Sequence, residues 1–185
     1  LFQTWHLPAD LHPVEARRYG SGDCGICGDC IFRAKPDQKA GPCYVNGVAI
    51  NGIYKSWVNG NYPLLDELAQ SIGLDAPATL EVLGSLGNGV RLGAYGDPVA
   101  MPRHMARHLV SRAGVRQGFT HQWRRPEVKE GWPRLVMASC ESPEQVARAH
   151  GGGWRTYTAY PETLTAKEAR QAIINASAGQ ISGRL

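Results

Sequence analysis

The second half of the chain alternates short apolar segments with helical segments, and this alternation restricts the fold more than any other feature. The segments "GVRLGAYG", "VRQGFTHQW", "PRLVMASC" and "WRTYTAY" predict strands. Between and after them, "PVAMPRHMARHLVSRAG", "SPEQVARAHGGG" and "TAKEARQAIINASAG" predict helices, with Ser142 as an N-cap and Pro98 and Pro143 in first turns. About four strands separated by helices predict an α/β fold. We expect a small parallel sheet or a partial (β/α) barrel, because a full eight-stranded barrel needs about 250 residues.

The first half of the chain has a different character. Residues 1–20 predict an extended lead-in followed by a short helix. Residues 21–62 are rich in Gly, Asn, Cys and Pro without sustained periodicity, and only "NGIYKSWVNGNYP" is expected to add a short helical turn. The segments "YPLLDELAQSIGL" and "PATLEVLGSLG" predict two further helices. We therefore predict a single α/β domain over residues 1–185, with residues 21–62 as an N-terminal Cys-rich metal-binding loop insertion.

Four of the five cysteines lie close together in that loop. Cys24, Cys27, Cys30 and Cys43 have the spacing C-x2-C-x2-C-x12-C. The first three are too close in sequence to bridge one another comfortably, and thiols in the cytosol stay reduced. We predict that the four thiols bind a metal, the alternative being free thiols in a Gly-rich loop.

Two kinds of metal centre suit four thiolates, a tetrahedral zinc ion and a [4Fe–4S] cluster. Three cysteines at two-residue intervals are typical of bacterial ferredoxins and favour the cluster slightly, whereas "CGICG" also looks like a zinc knuckle. Both centres stay open. The fifth cysteine, Cys140 in "MASC", is expected to be a small buried residue rather than a ligand.

Polar residues follow the predicted strands at the points where these end. Asp97 follows the first strand and His121 the second. In parallel α/β folds such residues gather at one edge of the sheet, where substrates bind. We predict that Asp97 acts as a general base or nucleophile and that His121 acts as an acid–base group. The alternatives are an N-cap role for Asp97, before Pro98, and a hydrogen bond within the fold for His121.

Four more residues at the strand ends, Tyr95, Trp123, Arg124 and Arg125, are candidates for ligand binding. An aromatic plane beside two guanidinium groups suits stacking on a base and binding of a phosphate. The pattern favours a nucleotide or nucleic-acid ligand. The alternative is a pair of solvated arginines.

The composition limits the partners and the compartment. The 185 residues are 43% hydrophobic and 19% charged, as in ordinary globular proteins. The net charge of +4 permits a nucleic-acid partner without requiring one. No apolar run is long enough to span a bilayer, and "LFQTWHLPAD" lacks the pattern of a secretion signal. We expect a cytoplasmic monomer or homodimer that does not engage a membrane.

Several segments together resemble an uncharacterised family of phage-encoded proteins. They are "RLGAYGDP", "GFTHQWR", "MASCESPEQVARAHGGGWRTY", "LFQTWHL" and "CGDC…CYV", and the resemblance runs from Leu1 to Tyr160. It implies a phage or prophage protein in the host cytoplasm but no particular reaction. Cys27, Cys30 and Cys43 match the usual cysteines of the family, whereas Cys24 is additional. Members of the family carry further cysteines near the C-terminus, and since this chain has none after Cys140, Cys24 could replace a lost ligand.

Two functions are consistent with these patterns. The first is a metalloenzyme that acts on a nucleotide, nucleobase or nucleic acid at the strand ends. The second is a non-catalytic module that binds nucleic acid or a host protein and uses its metal only for structure. A cluster of Arg or Lys on one face would favour the second function, but these residues are scattered along the sequence. We favour the enzyme.

Overall fold

The computed structural model describes residues 1–18, 24–33, 43, 45, 47–158 and 165–182, without the side chains of Arg18, Cys24 and residues 177–182. In this part of the chain, five strands form one parallel sheet in the sequential order β1-β2-β3-β4-β5. The strands are β1 Phe2–Trp5, β2 Val90–Tyr95, β3 Arg116–Thr120, β4 Met137–Cys140 and β5 Thr156–Thr158. The helices are α1 Pro13–Arg18, α2 Cys24–Cys27, α3 Gly47–Val58, α4 Leu65–Ser71, α5 Ala76–Ser85, α6 Arg103–Ser111, α7 Pro126–Lys129, α8 Pro143–Gly151 and α9 Ala166–Ser182.

The predicted α/β fold with a small parallel sheet is confirmed. The strands are parallel and in sequential order, and because crossovers between parallel strands are right-handed in nearly all proteins, we expect the connecting helices on the same face of the sheet, as in a segment of a (β/α) barrel. A buried cluster between sheet and helices includes Val90, Leu92, Leu109, Val136 and Val146. Within the described residues, no helix is both long enough and apolar enough to cross a bilayer.

Three local predictions need correction. The lead-in contains a strand, because β1 pairs with β2 and Phe2 lies opposite Val90. The short turn predicted near Ile53 is part of the 12-residue helix α3, whose Ile50 is fully buried against its neighbours. The helix predicted from Pro98 to Gly114 is divided, because a 3-10 turn at Pro98–Ala100 ends before Pro102, and α6 begins after it.

Helix caps follow the sequence closely. The Ser142 side chain accepts a hydrogen bond from the backbone N–H of Gln145 at the start of α8, as predicted.

Some predictions fall on residues that the structure does not describe. They are the end of the first helix at Gly20, the end of the last strand at Tyr160 and most of the loop over 34–46.

Helices α5 and α6 pack closely against each other at Gly84. A Cβ added to Gly84 would lie 1.8 Å from the backbone oxygen of Leu109, which cannot move without shifting α6. We expect Gly84→Ala to lower the free energy of unfolding by about 2–3 kcal/mol through overpacking. Gly52→Ala in α3 is the matched control, because nothing lies within 4 Å of its added Cβ. Denaturant unfolding should show the control unchanged or up to about 1 kcal/mol more stable, and an equally stable Gly84→Ala protein would contradict this packing.

Candidate functional site

One cavity lies at the carboxyl ends of β2 and β3, where the Cys-rich segment covers the edge of the sheet. Its volume is about 70 Å³. Three of the predicted metal ligands and three residues predicted at the strand ends line it together. The full lining is Cys27, Cys30, Phe32, Cys43, Val45, Gly93, Ala94, Tyr95, Gly96, Asp97, Phe119 and His121.

Asp97 joins the ends of two strands. Its Oδ1 accepts a hydrogen bond from the N–H of Val99 at 3.0 Å, so the N-cap role is present. Its Oδ2 accepts bonds from the Thr120 hydroxyl at 3.0 Å and the His121 N–H at 2.9 Å. Burial raises the pKa of Asp97 to about 6, although these three hydrogen bonds favour the carboxylate. The group is therefore structural and also has a pKa suited to proton transfer near neutral pH.

The His121 ring lies between the cavity and a glutamate. Its Nε2 is 3.5 Å from Oε1 of Glu141, and both atoms are buried without a hydrogen bond of normal geometry. The ring makes a T-shaped contact with Phe32, with ring centroids 5.7 Å apart. Burial, assisted by the nearby Arg124 cation, lowers the pKa of His121 to about 4. The imidazole is therefore neutral at pH 7, and a small shift of Glu141 would let it accept a hydrogen bond from the ring and fix its tautomer.

Helix α2 and the residues that follow it are attached to the strand ends by three kinds of contact. The backbone N–H of Asp97 donates to the Ile26 oxygen at 2.6 Å. Gly28 has a φ of +51°, and a Cβ there would lie 2.2 Å from the side chain of Gln122, so this approach requires glycine. Arg125 donates two hydrogen bonds to Asp29, at 2.9 and 3.1 Å. Because this ion pair is exposed, its main contribution is orientation rather than stability.

A separate set of hydrogen bonds holds the part of the Cys-rich segment that contains Cys43. The guanidinium group of Arg17, on α1, donates to the backbone oxygens of Val45 at 2.9 Å and Cys43 at 3.1 Å. Helix α1 in turn packs against α3. The helical region at the N-terminus therefore places Cys43 at the same cavity as Cys27 and Cys30.

The thiols in the cavity interact electrostatically with each other and with the carboxylate. Burial, and to a smaller extent negative charge on Cys43 and Asp97, raise the pKa of Cys30 to about 11. Ionising these groups together is unfavourable unless a cation compensates them. Within the described residues, no three His, Cys, Asp or Glu side chains are arranged as a ready metal site, and the Cys24 side chain lies outside that part.

The four residues predicted to bind a ligand lie in different environments in the structure. Tyr95 lines the cavity and is buried. Trp123 points into the core with 3% of its surface exposed, and its Nε1 donates to the Ser139 oxygen at 2.9 Å. The Arg124 guanidinium lies 4.5 Å from the centre of the Trp123 ring, and Arg125 is paired with Asp29. A base could stack on Trp123 only by displacing its neighbours, so Tyr95 and Arg124 are the better placed of the four.

The sequence reasoning did not assign roles to two residues at this site. Glu141 contacts both His121 and Arg124, the latter at 3.6 Å. Its place directly after the β4 segment was a usable signal, because it follows the same strand-end rule as Asp97. Phe32 belongs to the Cys-rich segment, and no sequence pattern predicted its contact with His121.

A partly buried histidine next to the site, His6, predicts a pH dependence of stability. Burial lowers the pKa of His6 to about 4. A depressed histidine pKa means that the unfolded chain binds a proton first, so the stability is present above pH 6.5 and is lost as the pH falls towards 4. We expect wild-type protein to lose about 2 kcal/mol more than His6→Gln over this range. Urea unfolding at several pH values measures the difference, and parallel pH curves for the two proteins would contradict it.

Comparisons of this chain with protein-family models, with curated proteins and with solved structures find no match. The fold and the cavity by themselves define an α/β protein with a Cys-lined cavity at the carboxyl ends of parallel strands.

Proposed function

We propose that this protein is a metalloenzyme, with a Cys-bound metal beside an acid–base pair formed by Asp97 and His121. The observation that carries this proposal is the shared cavity. Thiols from a Cys-rich segment and polar groups from two strand ends, far apart in sequence, line the same small space. A purely structural metal clip would not need to lie at the edge of the sheet where α/β enzymes bind substrates.

The ligands of the metal would be Cys27, Cys30 and Cys43, with Cys24 as the fourth. Four thiolates suit a [4Fe–4S] cluster, which we favour, or a zinc ion. A bound metal would supply electron transfer in the first case and structural order in the second. It would also compensate the negative charges that oppose ionisation of Cys30.

The chain's own residues would handle protons and the ligand. Three of the roughly four lone-pair sites of the Asp97 carboxylate accept hydrogen bonds, which leaves one on Oδ1 for a substrate. His121 is neutral at pH 7 and can accept or donate a proton through its ring nitrogens. Arg124, whose side chain is 40% exposed, is placed to contact a phosphate. These groups suit a nucleotide, nucleobase or nucleic acid as the substrate, and phage origin would place the reaction in a host cytoplasm.

Turnover by metal-loaded protein tests the proposal. Protein purified without oxygen is incubated with nucleotides, nucleobases and short oligonucleotides, with and without a low-potential reductant, and products are followed by mass spectrometry. We expect conversion of one substrate class, reduced at least about 100-fold by His121→Ala. His104→Ala is the matched control, because His104 is an exposed histidine on α6 outside the cavity.

Two outcomes would reject the enzyme. One is that metal-loaded protein converts none of the three substrate classes into a product. The other is a conversion that survives both Asp97→Asn and His121→Ala in protein shown to be folded. The second candidate function, a non-catalytic nucleic-acid-binding module, would then gain, and exposed arginines outside the cavity favour it.

A further inference from the structure

A second concave surface lies outside the cavity and is lined by arginines. It is a groove of about 650 Å³ between α6 and the connection from β3 to β4. Arg103, Arg107, Arg116 and Arg134 line it and are exposed, and we call it the arginine groove. The remaining lining residues are Val110, Ser111, Glu130, Gly131 and Leu135.

The groove exists because one crossover of the sheet has no full helix. The connection from β3 to β4 contains only the four-residue α7 and a 3-10 turn at Trp132–Arg134. The neighbouring crossovers contain nine-residue helices, α6 and α8. The flank of α6 that a longer helix would cover is therefore open to solvent, and it carries arginines instead of apolar residues.

The charges in the groove are largely uncompensated. Among the described residues, Glu130 is the only acidic one that lines it. Within the described part of the chain, Arg107, Arg116 and Arg134 have no acidic partner within 4.0 Å. Arg103 donates a hydrogen bond to the backbone oxygen of Glu130, so this contact orients Arg103 without involving the Glu130 carboxylate. Cations gathered in a concavity without counter-charges create a positive potential that attracts anions.

The geometry of the groove suits a phosphate chain. Arg103, Arg107 and Ser111 are spaced by four residues, so they lie in one row along α6 over about 12 Å. Along the axis of a duplex, where each strand presents a phosphate about every 3.4 Å, that length spans about three or four phosphates of one strand. Each of the four cations is an arginine, whose planar fork binds a phosphate through two hydrogen bonds. The described lining has no aromatic residue and only two apolar side chains larger than a methyl group, so it offers little to the side chains of an acidic peptide.

We propose that the arginine groove binds the phosphodiester backbone of a nucleic-acid strand. Arg116 begins β3, whereas the Cys-lined cavity lies at the carboxyl end of that strand. The groove and the cavity are therefore different sites, and this proposal does not depend on the metalloenzyme. We expect the groove to contact phosphates without recognising bases, since its described lining offers no aromatic side chain on which a base could stack.

The test is binding of a fluorescein-labelled 20-nucleotide single strand, followed by anisotropy at several salt concentrations. We expect Arg107→Ala/Arg134→Ala to weaken binding at least about tenfold at low salt and to reduce the slope of log K against log salt by about 1.4. Arg148→Ala/Arg170→Ala removes the same charge from exposed positions on α8 and α9 and should change affinity less than about twofold. Because all four side chains are exposed, thermal unfolding and metal content should be unchanged in both double variants.

Competition distinguishes the sources of the phosphate. An unlabelled strand of unrelated sequence should displace the probe, whereas adenosine monophosphate and inorganic phosphate at the same phosphate concentration should not. Equal losses in the groove and control variants would overturn the proposal. Displacement by mononucleotide as effective as by the strand, or by polyglutamate as effective as by the strand, would also overturn it, since the groove would then be a small-anion site or a general polyanion surface.

Discussion

Cys30→Ser protein purified without oxygen is expected to retain at most about a tenth of the metal bound by wild-type protein. The thiol of Cys30 lies in the cavity beside Cys43 and Asp97, which both raise its pKa. Serine cannot replace a thiolate for zinc or iron at neutral pH, because its hydroxyl remains protonated and is a harder ligand. Elemental analysis per mole of protein, with sulfide determination, measures the loss.

Two further cysteines supply the comparison. Cys140→Ser is the matched control, because Cys140 is 2% exposed, lies near the Ala138 oxygen and does not line the cavity. It should keep full metal content. Cys24→Ser should lose metal like Cys30→Ser if Cys24 is the fourth ligand. Equal metal contents in the Cys30→Ser, Cys140→Ser and wild-type proteins would contradict the ligand set.

Asp97→Ala is expected to lower the free energy of unfolding by about 3 kcal/mol or more. The change removes the acceptor of three hydrogen bonds and leaves Val99 N–H, Thr120 hydroxyl and His121 N–H without it at a buried position. Each buried donor without a partner costs about 1–3 kcal/mol, partly offset because burial of the Asp97 charge is itself unfavourable. Guanidinium unfolding at pH 7 measures the difference.

Two milder variants separate the contributions. Asp97→Asn keeps one oxygen acceptor and removes the charge, so we expect about half the loss. Thr120→Val removes one donor to Asp97 and also the acceptor of the Gln122 N–H, at a residue that is fully buried, and should cost about 1–2 kcal/mol. If Asp97→Ala loses no more than Thr120→Val, then Asp97 does not join the ends of β2 and β3 as the structure indicates.

The sequence predicted those parts of the fold that are encoded locally. The alternation from residue 89 onward predicted β2 to β5 in outline, and Ser142 predicted the start of α8, because period and caps depend on near neighbours. β1 was missed because its pairing with β2 depends on residues nearly ninety positions away. Helix α3 was predicted too short because Gly47 and Gly52 lower its intrinsic preference, while burial of Ile50 stabilises it in the folded chain.

At the site, too, the sequence predicted what depends on local pattern and missed what depends on distant contacts. The strand-end rule placed Asp97 and His121 at one edge, and the structure joins them by a hydrogen bond. No local pattern could predict that the Cys-rich segment lies over the same edge, because this depends on contacts such as that of Gly28 with Gln122. For the same reason, no local pattern could predict that the Trp123 side chain is buried in the core. The arginine groove likewise forms from positions between residues 103 and 134 that the sequence keeps apart.

The most direct test of the account is the metal content and visible spectrum of wild-type protein purified without oxygen. We predict a brown protein with broad visible absorption and about four iron and four sulfide per chain, or a colourless protein with about one zinc. In either case the metal should remain bound through gel filtration. A colourless protein without iron or zinc, in which all the cysteine thiols react with a thiol reagent, would contradict the proposed metal centre.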